Sequence, residues 1–149
     1  MAETLGSLCD KLTIVKLKQW HTDDHEKKIS LDKQHRQLIQ EINEYLALVM
    51  KGHIPIDRIT FCSNKVYKIE GNEIGNISGS LGDVFSELSS VNYKLWKEQE
   101  KVYEFESVPK NLKNKVVKQL ALLNLQRNQC IDEIDRKFQD MVIQSQNDD

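Results

Sequence analysis

The chain has 149 residues, room for one domain with a substantial core. Its 39% hydrophobic and 30% charged residues are the proportions of a globular protein rather than a disordered one. A formal net charge of -2 argues against both a dedicated nucleic-acid binder and a polyanion mimic.

Six glycines and two prolines leave few places to turn, so long regular elements are expected rather than a many-stranded sandwich. The first periodic segment carries Leu5, Leu8, Leu12 and Val15 on one stripe, with Ile14, Leu17 and His21 beside it. Thr4 is placed to cap it. The second holds Leu31, Leu38, Ile39, Ile42, Tyr45, Leu46 and Val49, and Gly52 is positioned to stop it. Between residues 53 and 79, Pro55, Gly71, Gly75 and Gly79 break any helical period. The alternating stretch Lys65–Glu70 suits a short strand or hairpin arm, or an extended strap over a bundle. A third helix follows on Leu81, Val84, Phe85, Leu88, Val91, Leu95 and Val102, opened by a capping box at Ser80-x-x-Asp83. The fourth starts at Val108-Pro109 and runs through Leu112, Val116, Leu120, Leu123, Ile131, Ile134, Phe138 and Met141. A helix of about 33 residues there makes a rod of about 50 Å. The polar tail from Gln144 is expected to fray.

The predicted fold is therefore all-α. It is one four-helix domain of two helical hairpins, over about 4–52 and about 80–143, joined by a long irregular crossover over about 53–79. The hairpins echo each other. Gly6, Leu12, Val15, Lys18 and Trp20 recur 76 residues later as Gly82, Leu88, Val91, Lys94 and Trp96. Ile39, Glu41 and Ile42 recur 92 residues on as Ile131, Glu133 and Ile134, with Asn43 matched by Asp135. An internal duplication is the expectation.

Cys9, Cys62 and Cys130 are odd in number, far apart and in no C-x-x-C pair, which argues against a disulfide framework or a thiolate zinc site. Charged residues interrupt the N-terminal segment, and no stretch approaches the roughly 18 apolar residues of a membrane span. A cytoplasmic protein without a membrane partner is the expectation.

Several polar residues fall on apolar stripes. Asp10, Ile14, Leu17 and His21 lie along one side of the first helix, with Lys18 adjoining. Asn92 follows Leu88 by one turn at the edge of the third stripe, and Trp96 follows Asn92. Arg127 stands where the fourth stripe expects an apolar residue, flanked by Asn128 and Asp132. A buried polar group costs a few kcal/mol unless it is paired. An internal network fixing helix register, a ligand pocket between the hairpins around Arg127, and exposure at the stripe edge are the three readings of this set.

Glu41-x-x-Glu44 and Asp132-x-x-Asp135 place carboxylates one turn apart. That is the spacing with which all-α nucleotide pyrophosphohydrolases hold magnesium, although their double-glutamate opening is absent. A Mg²⁺ site at Glu41, Glu44, Asp132 and Asp135 is the weaker alternative to a protein with no cofactor and no metal. His21, Asp23, Asp24 and His25 cluster at a helix end without metal-ligand spacing. From Ser107 to Ile131 there are four lysines and Arg127 with no acid. That run suits a solvated face or an anionic partner such as a phosphorylated small molecule. It lacks the interleaved aromatics of a nucleic-acid surface.

The opening from Leu5 to His21 resembles the start of a family of small bacterial and phage proteins of uncharacterised function, often encoded beside or fused to glycosyltransferases. Val91-Asn-Tyr-Lys-Leu-Trp96, Leu123-Asn-Leu-Gln-Arg-Asn128 and Ile131-Asp-Glu-Ile-Asp135 carry the same likeness. The resemblance spans the helical parts and implies a fold and a candidate patch of Asp10, Lys18, His21, Asn92, Trp96, Arg127 and Asn128, with no activity attached. The combined expectation is a non-catalytic, self-associating helical binding or accessory protein. The alternatives are a metal-dependent hydrolase or transferase accessory acting on a nucleotide or sugar nucleotide, and a small-ligand sequestering protein.

Overall fold

The computed structural model describes residues 3–60 and 79–147. Four helices carry the fold: α1 (Leu5–His21), α2 (His25–Met50), α3 (Leu81–Tyr103) and α4 (Lys110–Asn147). Single 3₁₀ turns lie at Ile56–Arg58 and Phe105–Ser107. No strand occurs among the described residues, and Lys65–Glu70 and Cys62 lie outside them. No described helix is long and apolar enough to cross a membrane.

Local chemistry sets the helix ends. Thr4 caps α1, its hydroxyl accepting from the Ser7 N–H at 3.2 Å. Asp24 does the same for α2, accepting from the Lys27 N–H, so the acid cluster after His21 serves a helix start. Gly52, at a φ of 77°, ends α2. Its N–H donates to the Val49 carbonyl and that of His53 to Leu48, both bonds of a Schellman motif. The Ser80–Asp83 capping box forms in both directions. The Ser80 backbone N–H, and then its hydroxyl, hold the Asp83 carboxyl below the usual carboxylate range.

Two boundaries differ from expectation. Pro109 stands just ahead of α4 rather than inside it, and its carbonyl accepts from the Leu112 N–H. The polar end continues as helix to Asn147, because nothing between Met141 and Asn147 breaks the 3.6-residue turn.

α3 and α4 form the most extensive antiparallel pair. α1 lies across both, and α2 packs chiefly on α1. The core joins Leu8, Val49, Val84, Leu88, Val91, Leu123, Cys130 and Ile134, all at most 2% exposed. The crossover contributes too. Ile59 is fully buried, and Gln139 Nε2 donates to the Ile56 carbonyl at 2.8 Å, holding the 3₁₀ turn on α4. The echoed positions occupy unlike surroundings: Gly6 and Asp135 are buried, whereas Gly82 and Asn43 are exposed.

Gly6 sets the closest approach of α1 to α4. Its N–H donates to Asp135 Oδ1 at 2.7 Å, satisfying a free donor of the first turn of α1 with a buried carboxylate from another helix. A Cβ at Gly6 would collide with the Ile131 carbonyl oxygen and crowd Asp135 Oδ1. Gly6→Ala should therefore cost about 1–3 kcal/mol in chemical denaturation. An unchanged midpoint would show that the helices do not meet there.

Three acids in this core are held neutral. Burial, then the carboxylate of Asp135, pushes both the Cys9 thiol and the Tyr45 phenol up to about 12. Burial, then Glu87, does the same to the Cys130 thiol. Ordinary values are 9.0 for the thiols and 10.0 for the phenol, so the unfolded chain ionises first. Their contribution to stability is complete below about pH 9 and drains away as pH climbs toward 12. The urea midpoint should fall across that window. A flat profile there would mean that these side chains meet water in the native state.

Candidate functional site

The polar set resolves into two groups, a network and a stacked pair. Asp10, 5% exposed, points from α1 toward α3 and α4. Its Oδ1 accepts from Arg127 Nε at 2.8 Å and from Asn92 Nδ2 at 2.9 Å, and its Oδ2 accepts from Arg127 Nη2 at 2.6 Å. The guanidinium thus grips the carboxylate with two parallel bonds, the geometry that suits arginine and not lysine. The same Asn92 amide donates to Thr13 Oγ1 at 2.6 Å, and the Thr13 hydroxyl donates to the Asp10 carbonyl at 2.8 Å. Four side chains from three helices are joined with every N–H of the Asn92 amide in use. Register follows from chemistry here, since shifting α1 by one residue turns Asp10 away from both partners.

The hydrogen bonds from Arg127 to Asp10 raise the arginine's already high pKa, so its charge is permanent. Asp10 is the deeper partner: its side chain is 7% exposed against 34% for Arg127. Arg127 and Lys18 both line a cleft of about 380 Å³ between α1, α2 and α4. Asn92 and His21 do not line it.

His21 and Trp96 form the second group. Their rings stack with centroids 4.7 Å apart and planes inclined by 25°. The His21 Nδ1–H donates to the Leu17 carbonyl at 2.8 Å, and Trp96 Nε1 donates to Glu100 Oε1 at 3.0 Å. Asn128 is half-buried, one residue on from Arg127 and so on another side of α4. The structure therefore joins Asp10, Asn92 and Arg127, pairs His21 with Trp96, and sets Lys18 on the cleft wall.

Two contributors escaped the sequence reading. Thr13 lies three residues after Asp10, and that spacing on one helical face was the available signal. Gly6 interrupts an apolar stripe, the mark of a close backbone approach, and Asp135 is its partner.

The four carboxylates of the magnesium alternative do not meet. Glu41 and Glu44 are exposed on α2, where Glu44 accepts from Gln40 Nε2 at 2.8 Å. Asp135 is buried against the start of α1. Among the described residues, no group of three or more His, Cys, Asp or Glu side chains is placed to hold a metal ion.

Breaking the Asp10–Arg127 pair from one side strands a buried charge. Arg127→Met should cost about 2–3 kcal/mol, less than a fully buried pair because Arg127 keeps partial contact with water. Adding Asp10→Leu to Arg127→Met should restore part of that loss, giving a coupling of about 1 kcal/mol or more in a double-mutant cycle. Additive losses would mean that the two side chains do not interact. Compared with protein-family models, curated proteins and solved structures, the chain matches none, so the site is read from its own residues.

Proposed function

We propose that this chain is a non-catalytic helical accessory module that binds partners, a second copy of itself among them, through one end of its bundle. The observation that carries the reading is a group of aromatic rings left on that end. Asp10 and Thr13 meet Asn92, and His21 meets Trp96, so α1 and α3 run parallel and their C-terminal ends lie on the same side. Trp20 is 87% exposed there and Tyr103 81% exposed. Tyr93 is also exposed, with the Lys97 ammonium 5.6 Å from its ring centre. Large rings with a polar tip bind protein surfaces at low entropic cost, and they are the side chains that anchor interfaces. Among the described residues, none covers Trp20 or Tyr103.

The Asp10 network supports the same reading, since both Asp10 oxygens and both N–H groups of the Asn92 amide are engaged in helix placement. The resemblance to proteins encoded beside glycosyltransferases fits an accessory role in the cytoplasm. A stable pairing needs about 1,000 Å² or more of buried surface, which an aromatic end of this kind can supply. In sedimentation velocity the protein should shift from monomer to dimer as concentration rises, and Trp20→Ala with Tyr103→Ala should abolish the shift while leaving the circular dichroism spectrum unchanged. A monomer at every concentration, or a dimer indifferent to both substitutions, would contradict the proposal.

A further inference from the structure

The geometry points to a second site, independent of how the chain associates: the cleft between α1, α2 and α4 binds a phosphate monoester. The cleft exists because α2 leans chiefly on α1 and leaves the space between itself and α4 open over the α1 surface. Its volume of about 380 Å³ suits a small organic molecule.

The donors on its walls favour an anion. Arg127 spends Nε and Nη2 on Asp10, and its Nη1 makes no hydrogen bond among the described residues. The buried carboxylate therefore holds the guanidinium rigid and turns its remaining edge outward, so little rotamer entropy is lost when an acceptor arrives. Lys18 lies on the line Asp10, Ile14, Lys18 along α1 and has no ion pair among the described residues. Lys11 is tied to Glu3. Among the described wall residues Glu41 is the acid without an ion pair, and it stands about two helical turns from Lys18, on the side where Arg127 meets Asp10. The bond from Gln19 Nε2 to Asp32 Oδ1 sets α1 antiparallel to α2, which brings Glu41 level with Lys11 and Gln34 level with Lys18.

The shape of the donor set selects phosphate. Arg127 approaches from α4, Lys18 from α1 and Gln37 from α2, so donors come from three directions. A planar carboxylate offers two acceptor oxygens in one plane, whereas a phosphate monoester offers three around a tetrahedron and carries a charge nearer two. Ile14, Val15 and Leu38 line the same cleft and provide apolar surface for the organic part.

Phenyl phosphate is the probe, titrated calorimetrically into the full chain at fixed ionic strength, with benzoate and sodium sulfate as comparators. Saturable binding of one phenyl phosphate per chain is expected, weaker for benzoate and for sulfate. Lys18→Ala should weaken it about tenfold, as for the loss of one charge-assisted hydrogen bond, without changing the melting temperature of the free protein, because Lys18 is exposed and makes no ion pair among the described residues. Gln37→Ala should weaken it less. Binding that ignores Lys18 would place the anion elsewhere and overturn the site. Equal affinity for benzoate would overturn the phosphate assignment, and heats no larger than those of sulfate would overturn both.

Discussion

Asp10 is a charge in a place where charge is expensive, and the arrangement of the helices follows from what it takes to keep it there. A carboxylate 5% exposed is costly to bury unless donors meet it. It finds them on α3 and α4 together, from the Asn92 amide and the Arg127 fork. Both partners must be within hydrogen-bond reach, so α1 has little freedom to slide or roll. Apolar packing alone tolerates such shifts more readily than a fork with two fixed acceptors. Whether the pair adds net stability over an apolar substitute is a separate matter, and buried ion pairs in general do not. Its contribution here is placement.

That placement governs the remainder. The Asp135 carboxylate holding the Gly6 N–H adds a second fixed point one turn below Asp10, and the absence of a Cβ at Gly6 lets the two helices meet. With α1 locked to α3 and α4, α2 is left to pack on the one face of α1 still available. Its own bridge to α4 is at the lower end, where Tyr45 and Phe138 come within 6.3 Å and the 3₁₀ turn at Ile56 closes over α4. Toward the other end α2 and α4 stay apart, and this opening makes the cleft. The cleft is thus a consequence of where α1 was fixed.

Much of the fold was legible in the sequence because it rests on short-range chemistry. The four helical periods, the Thr4 cap, the Ser80–Asp83 box and the Gly52 stop all act within a few residues of where they are written. The site was legible in part. Polar residues on apolar stripes identified Asp10, Asn92 and Arg127, but which of them touch depends on how the helices roll, and that is settled over 82 and 117 residues of separation. The same limit hid the Gly6–Asp135 contact, which spans 129 residues. One-turn spacing reads Asp135 only along its own helix, and the Gly6 N–H that it accepts from lies on another. The echo between hairpins does not carry over to the surroundings of the echoed side chains. Trp20 and Trp96 occupy matching helical positions, yet one is left in solvent and the other stacks on His21, because the hairpins pack on different neighbours.

The central claim is that Arg127 and Asp10 form a fixed fork, and the Arg127 side-chain Nε–H resonance reports on it directly. In a ¹H–¹⁵N spectrum of the native protein, that signal should be single, displaced from the position of free arginine and slow to exchange with water, and Asp10→Asn should return it to the free position. A Nε–H signal that exchanges rapidly and sits at the free-arginine position in both proteins would contradict the fork, and with it the reason given for where α1 lies.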